Sequence, residues 1–107
     1  MVTAPSLSLS LQSTIGAFEL PSEVLTGLRE RLAHGGENVE SGEYARARQI
    51  YKAALDQIVK LNDRYAGTQA LLSMKQDLEQ ATERALAACS AENEVAAKRN
   101  VPAVPCQ

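Results

Sequence analysis

The sequence predicts an all-α protein, a three-helix bundle, and three observations predict it. Apolar residues recur at helical spacing in three segments, turn-forming residues separate these segments, and no segment after the first twenty residues alternates as a strand does. The chain has 107 residues, of which 45% are hydrophobic, so it has room for one small domain. We expect helices at about 22–40, 43–65 and 68–90 or 99, so the bundle domain covers residues 21–99.

The two ends of the chain are predicted to lie outside the bundle. Residues 1–20 are rich in Ser and Thr and contain one acid and no base, which favours a flexible leader. Ser and Leu alternate over residues 6–11 as in a short strand, but a strand needs a partner strand and no later segment alternates in this way. Serines interrupt these leucines, which disfavours a secretory signal. Residues 100–107 contain two prolines and are predicted to be a disordered tail.

The first helix is predicted to begin at Ser22, which is expected to be its N-cap. Gly35 and Gly36 each lower helix propensity by about 1 kcal/mol relative to Ala. We expect the helix to continue through them to Glu40, because the apolar spacing persists up to the turn signal at residues 41–42. Close approach of a second helix explains why side chains are absent at the two glycines. The apolar side of this helix contains Val24, Leu25, Leu28, Leu32 and Val39.

The second helix has the clearest pattern in the chain. From residue 43 onward, seven positions follow alternating steps of three and four, which is typical of one helix face. These positions are Tyr44, Ala47, Tyr51, Ala54, Ile58, Leu61 and Tyr65. Ile50, Leu55 and Val59 widen the apolar side, so we expect this helix to be the middle one and to contact both neighbours.

The third helix is predicted to begin after a cap at Thr68. Its inward positions are expected to be Leu71, Leu72, Met74, Leu78, Ala81, Ala85, Leu86, Ala88 and Cys89. Because this series changes from Leu to Ala, it buries less area in its second half, which we expect to be held less firmly. Residues 90–99 either continue as a solvated helix or fray.

Residues 42–55 resemble the second half of a tetratricopeptide repeat, whose pattern includes an Ala followed four residues later by an aromatic residue. The matching positions of the hairpin are Gly35, Gly42, Tyr44, Ala47, Tyr51 and Ala54. No second copy occurs at the expected spacing of about 34 residues, and Val59 stands where the repeat has its closing Pro. The layout is more similar to the microtubule-interacting and transport domain, in which a single such hairpin is followed by a third helix. This resemblance implies that a groove between helices binds a short helical segment of a partner.

Charge and residue content argue against several classes of function. The chain has 11 basic and 13 acidic residues, which are interspersed, so no nucleic-acid partner is expected. No apolar run approaches the roughly 18 residues that span a bilayer, so no membrane partner is expected either. His34 is the single histidine and has no evident catalytic or metal-binding partner residue, so we expect no catalysis, no metal and no cofactor.

Two smaller features leave alternatives open. Cys89 as a buried residue and Cys106 as an exposed thiol fit a reducing cytoplasm, whereas under oxidising conditions they would bridge and hold the tail. Arg46, Arg48 and Lys52 make the start of the second helix basic. This is a solvated face in the preferred interpretation and a phosphate or acidic-peptide site in the alternative.

The sequence therefore predicts a non-catalytic cytoplasmic adaptor that binds a helical or extended segment of another protein in a groove between helices. The residues assigned to this interface are Ala81, Ala85, Ala88, Leu78 and Tyr65. The alternative is a self-associating structural bundle, in which the small-residue face of the third helix packs against a second copy. An enzyme would need a buried polar constellation, which this composition does not supply.

Overall fold

The computed structural model describes residues 20–65 and 68–107. Within these ranges the chain forms three helices and no strand. Helix α1 is Ser22–Glu40, α2 is Tyr44–Asn62 and α3 is Gln69–Lys98. The predicted all-α three-helix bundle is thus confirmed. Residues 1–19 of the predicted leader, with their alternating segment, lie outside the described residues.

Helix α1 runs through both glycines to Glu40, as predicted, but its N-terminus differs from the prediction. The N-cap is Pro21, and no side chain caps the helix. The Pro21 carbonyl instead accepts a backbone hydrogen bond from Val24 N at 3.1 Å. The prediction of Ser22 as the cap was wrong because Pro21, with its fixed φ, already begins the helical hydrogen-bond series.

The turn between α1 and α2 depends on Gly42, which has a positive φ of 80°. Glycine adopts this conformation without the steric penalty that a Cβ imposes. Ser41 supports the turn by donating its hydroxyl hydrogen to the Glu37 carbonyl at 3.1 Å. The two helices therefore form a tight hairpin.

Helix α2 ends at Asn62, three residues before the predicted end at Tyr65. Tyr65 is nevertheless buried, at 7% exposure, because the chain bends back toward the core after the helix. Thr68 occupies the N-cap position of α3 as predicted, but its hydroxyl does not cap that helix. It donates to the Tyr65 carbonyl at 2.6 Å and so joins the end of the bend to the start of α3.

The core lies along α2, which packs extensively against both α1 and α3, whereas α1 and α3 contact each other less. The middle position predicted for this helix is confirmed. The buried core residues are Leu28, Ala47, Tyr51, Ala54, Ile58, Tyr65, Leu71, Met74, Leu78 and Ala85.

Leu72 and Leu86 were predicted to point inward, and this was wrong, because they are 43% and 40% exposed. Each follows a buried residue directly and is rotated by about 100° from it around the helix. The buried stripe of α3 is therefore narrower than the sequence suggested.

The α1–α2 hairpin is closest at Gly35. A Cβ built on Gly35 would lie 2.9 Å from Cδ1 of Tyr51 and closer still to two other ring atoms. No such overlap arises at Gly36, where nothing lies within 4 Å of a built Cβ. The expected close approach is confirmed for Gly35 and not for Gly36, because the two residues face different sides of α1.

Helix α3 continues to Lys98, so residues 90–98 are a largely exposed helix rather than a frayed end. Asn100 then adopts a left-handed conformation, with φ of 56°. The Val101 N–H donates to the Ala96 carbonyl at 2.9 Å, and the Asn100 N–H to Ala97 at 3.3 Å. This pair of bonds is a Schellman motif, which ends the helix and reverses the chain.

After this reversal, residues 101–107, which we name the strap, return along α3. Cys106 forms a disulfide with Cys89, with a Cα–Cα distance of 5.8 Å. The prediction of Cys106 as an exposed free thiol was wrong, because the turn at Asn100 brings it back to α3. The segment expected to be a disordered tail has no helix or strand, and its contacts lie along α3 and the start of α2.

Candidate interaction groove

A groove with a volume of about 440 Å³ lies between α1 and α3. Leu32 and Val39 line it from α1, Ala81 lines it from α3, and Tyr51 of the middle helix lies beneath them. Leu32, Val39 and Ala81 are partly buried and pack against the core. The groove thus offers apolar surface that continues directly into the core of the bundle.

The groove exists because small residues stand where α1 and α3 face each other. Gly36 lines it, and the absence of any atom within 4 Å of a Cβ at this position shows that the space above Gly36 is open. Ala81 contributes only a methyl group from the opposite helix. The second glycine of the pair therefore opens a surface, whereas the first allows close packing on α2.

The rim of the groove carries charges of both signs. Glu40 and Asp77 supply carboxylates, and Arg84 supplies a guanidinium. Burial raises the pKa of the Tyr51 hydroxyl, and the nearby Arg84 cation partly opposes that shift. Tyr51 therefore remains neutral at physiological pH, and the lower part of the groove carries no charge of its own.

The residues that the sequence assigned to an interface do not all reach the surface. Ala81 lines the groove and Ala88 is half-buried. Leu78 and Ala85 are 0% exposed and Tyr65 is 7% exposed, so these three belong to the core of the monomer. They have almost no surface to offer to a partner.

Sequence reasoning missed most of the groove. Leu32 and Val39 were placed on the apolar side of the first helix, but nothing assigned them to an interface. The available signal was Gly36, which lies between them in sequence and one step of about 100° around the helix from Gly35. This rotation places Gly35 against α2 and Gly36 at the groove between α1 and α3.

The six residues assigned to the hairpin lie in α1, in the turn after it and in α2. Gly35 is buried and Gly42 forms the turn. The other four, all on α2, are buried at 9% exposure or less and are Tyr44, Ala47, Tyr51 and Ala54.

The described part of the chain contains few residues of the kinds that catalyse reactions or bind metals. His34 is exposed on α1. Residues 20–65 and 68–107 contain no group of three His, Cys, Asp or Glu side chains that could hold a metal ion. None of the three helices combines the length and apolarity needed to cross a membrane.

Tyr44, at the start of α2, has a distinct electrostatic environment. A hydrogen bond with the Glu92 carboxylate, together with burial and the negative charge of Glu92, raises the pKa of its hydroxyl. This contact joins the first residue of α2 to the last third of α3. The Glu92 carboxylate and the burial of the ring both favour the protonated hydroxyl.

Comparison of the chain with family models, curated proteins and solved structures finds no match. The resemblance to a tetratricopeptide hairpin or to the microtubule-interacting and transport domain therefore stays a hypothesis that rests on residues 35–55.

Proposed function

We propose that this chain is a non-catalytic interaction module that binds a helical segment of another protein in the groove between α1 and α3. The observation that supports this proposal is the continuous apolar lining from Leu32 and Val39 across Tyr51 to Ala81, with open space above Gly36. An amphipathic helix buries its apolar face in such grooves through residues at spacings of three, four and seven.

The dimensions of the groove define the segment it accepts. Leu32 and Val39 are seven residues apart on α1, which corresponds to roughly 10 Å along the helix axis. Two turns of a partner helix match this length, so two or three apolar side chains serve as anchors. Because Asp77 and Arg84 supply opposite charges on α3, a partner helix with one basic and one acidic flank fits best.

The state of the two cysteines bears on the cellular location of the protein. The predicted cytoplasmic location rested on two free thiols and on the lack of a secretory-signal pattern in residues 1–20, and the Cys89–Cys106 bridge removes the first of these two supports. Disulfides form and persist in oxidising environments. The proposed binding does not depend on the compartment, since the groove contains no cysteine.

The alternative of a self-associating bundle has less support. It requires that the small-residue face of α3 contacts a second copy, but Ala85 and Cys89 are 0% exposed in the single chain. The same chain thus covers two residues of that face completely, and Ala81 and Ala88 are half-buried. Self-association through another surface remains an outcome that a mass measurement detects.

A displayed library of amphipathic helical peptides provides the binding test. The library is selected against the wild-type protein, and the selected peptides are measured against Gly36→Leu, which fills the groove. Gly27→Leu is the matched control, because Gly27 is also a glycine of α1 with nothing within 4 Å of a built Cβ and does not line the groove. Circular dichroism establishes that both variants keep their helical content.

We expect the selected peptides to bind the wild type and Gly27→Leu with similar affinity and to lose binding to Gly36→Leu. Selection that yields no binder, or binders that tolerate Gly36→Leu, would contradict the proposed function.

A further inference from the structure

A second cleft, with a volume of about 370 Å³, lies between α2, α3 and the strap. Arg48 and Lys52 line it from α2, Thr82 lines it from α3, and Gln107 of the strap closes one side. It shares no lining residue with the groove between α1 and α3. Arg48 and Lys52 are the charged side chains among the residues that line the cleft.

Arg48 is incompletely paired in this cleft. Its Nη1 donates a hydrogen bond to the Cys106 carbonyl at 3.2 Å. Its Nε is buried, and among the described residues it is the sole buried side-chain nitrogen or oxygen without a hydrogen-bond partner. Buried N–H groups in native proteins are nearly always paired, so an orphaned one calls for a partner that the folded chain alone does not supply.

A carboxylate is the partner that matches this geometry. The guanidinium group presents parallel N–H donors, and a carboxylate accepts two of them at once, whereas a single backbone carbonyl occupies only one. Lys52 lies one turn further along the same face of α2 and lines the same cleft. It adds a second positive charge that an acidic peptide segment would contact.

The strap is held in place mainly by contacts other than Arg48. The Asn93 side chain pairs with the backbone of Val104, since its Nδ2 donates to the Val104 carbonyl at 3.0 Å and its Oδ1 accepts from the Val104 N–H at 2.8 Å. The bridge between Cys89 and Cys106 fixes the residue whose carbonyl meets Arg48. The disulfide thereby holds the Cys106 carbonyl, a neutral hydrogen-bond acceptor, next to the positively charged Arg48 guanidinium.

We propose that this cleft is a binding site for an acidic peptide segment, in which Arg48 is the anchor and the strap is a competing occupant retained by the Cys89–Cys106 bridge. An external dithiol that reduces the bridge transfers two electrons and two protons to the two sulfur atoms and itself becomes a disulfide. The strap then keeps only its non-covalent contacts, and a carboxylate replaces the Cys106 carbonyl at Arg48.

The test measures binding of a fluorescein-labelled hexaglutamate peptide by fluorescence anisotropy at low salt, with a hexaglutamine peptide as the uncharged control probe. Binding is compared between the wild type with its bridge intact and Cys106→Ser, which lacks the bridge without any added reductant. Arg48→Gln removes the anchor. Arg46→Gln is the matched control, because it removes the same charge from the start of α2 but does not line the cleft.

We expect Arg48→Gln to weaken hexaglutamate binding by about tenfold or more, which is the loss typical of a hydrogen bond between charged groups. Arg46→Gln should change it by less than about threefold, as expected for an exposed charge. Cys106→Ser should bind more tightly than the wild type, and hexaglutamine should bind none of the proteins.

Three results would each overturn the proposal. Absence of hexaglutamate binding to Cys106→Ser would show that the cleft is not a carboxylate site. If Arg46→Gln and Arg48→Gln lost hexaglutamate affinity equally, the peptide would be attracted to positive charge in general and not to this cleft. Equal or weaker binding by Cys106→Ser would show that the strap does not compete for Arg48.

Discussion

Replacing Gly35 by Ala tests the packing of the α1–α2 hairpin, because the added Cβ would overlap the Tyr51 ring. The built Cβ lies 2.5 Å from Cζ and 2.9 Å from Cδ1 of that ring. Contacts this short force the ring or the two helices to shift, and overpacking of this kind destabilises a core by about 1–3 kcal/mol. Ala also favours the helix over Gly by about 1 kcal/mol, which offsets part of this loss.

Gly36→Ala is the control that separates these two effects. It gives the same gain in helix propensity, but nothing lies within 4 Å of its Cβ. We therefore expect Gly36→Ala to raise the free energy of unfolding by up to about 1 kcal/mol. The difference between the two variants then isolates the overlap and should amount to about 1–3 kcal/mol.

The assay is urea denaturation followed by far-UV circular dichroism. The free energies of unfolding of the two variants and the wild type are compared under the condition that the free energy falls with urea concentration at the same slope in all three. Tyr51→Leu extends it to a double-mutant cycle, since Gly35→Ala should lose most of its penalty once the ring is absent. If Gly35→Ala proved as stable as Gly36→Ala, the close approach of α1 and α2 at this point would be refuted.

Three further predictions concern the hairpin, the strap and the pH dependence. Ala47→Leu adds a larger side chain at a position that is 0% exposed and should lower the free energy of unfolding by about 1–3 kcal/mol; unchanged stability in urea denaturation would contradict this packing. Cys106→Ser opens a bridge that spans 17 positions, and loop entropy predicts a loss of about 3 kcal/mol relative to the oxidised wild type in the same assay; an unchanged midpoint would show that the bridge does not form. The pKa of Tyr44 is raised in the folded state, so its contribution to stability is complete below about pH 10 and is lost as the pH rises through the folded-state pKa. Glu92→Gln should move the absorbance titration of this tyrosine to lower pH, and an unshifted titration would argue against the contact with Glu92.

The helices were predictable because each is encoded by a local pattern. The steps of three and four from Tyr44 onward defined α2, and the persistent spacing up to the turn carried α1 through its two glycines. The helix ends were less predictable. The roles of Ser22 and Thr68 depend on which backbone groups lie near their hydroxyls, and residue type alone does not determine this.

The surfaces were not predictable from the same patterns. An apolar stripe shows that a helix face is covered, but not whether its own chain or another chain covers it. Leu78 and Ala85 were therefore assigned to an interface although they lie in the core. The groove depends on which residues of α1 and α3 face each other across the bundle, and the pattern of a single helix does not contain this information.

The position of the strap was not predictable, because it depends on contacts between residues that are distant in the sequence. The two prolines of the tail indicated irregular structure, but the reversal at Asn100 is a backbone conformation rather than a composition signal. Once the chain turns there, Cys106 reaches Cys89 and the Val104 backbone reaches Asn93. The sequence contained each of these residues without showing that they meet.

The most direct test of the central claim, that the groove between α1 and α3 is open to a partner protein, is the solution mass measured by light scattering over a wide range of concentration. The account predicts a monomer of 11.5 kDa at every concentration, because no second copy is needed to cover the core. A stable dimer that Gly36→Leu converts to a monomer would contradict the account, since it would show that a second copy of the chain fills the groove.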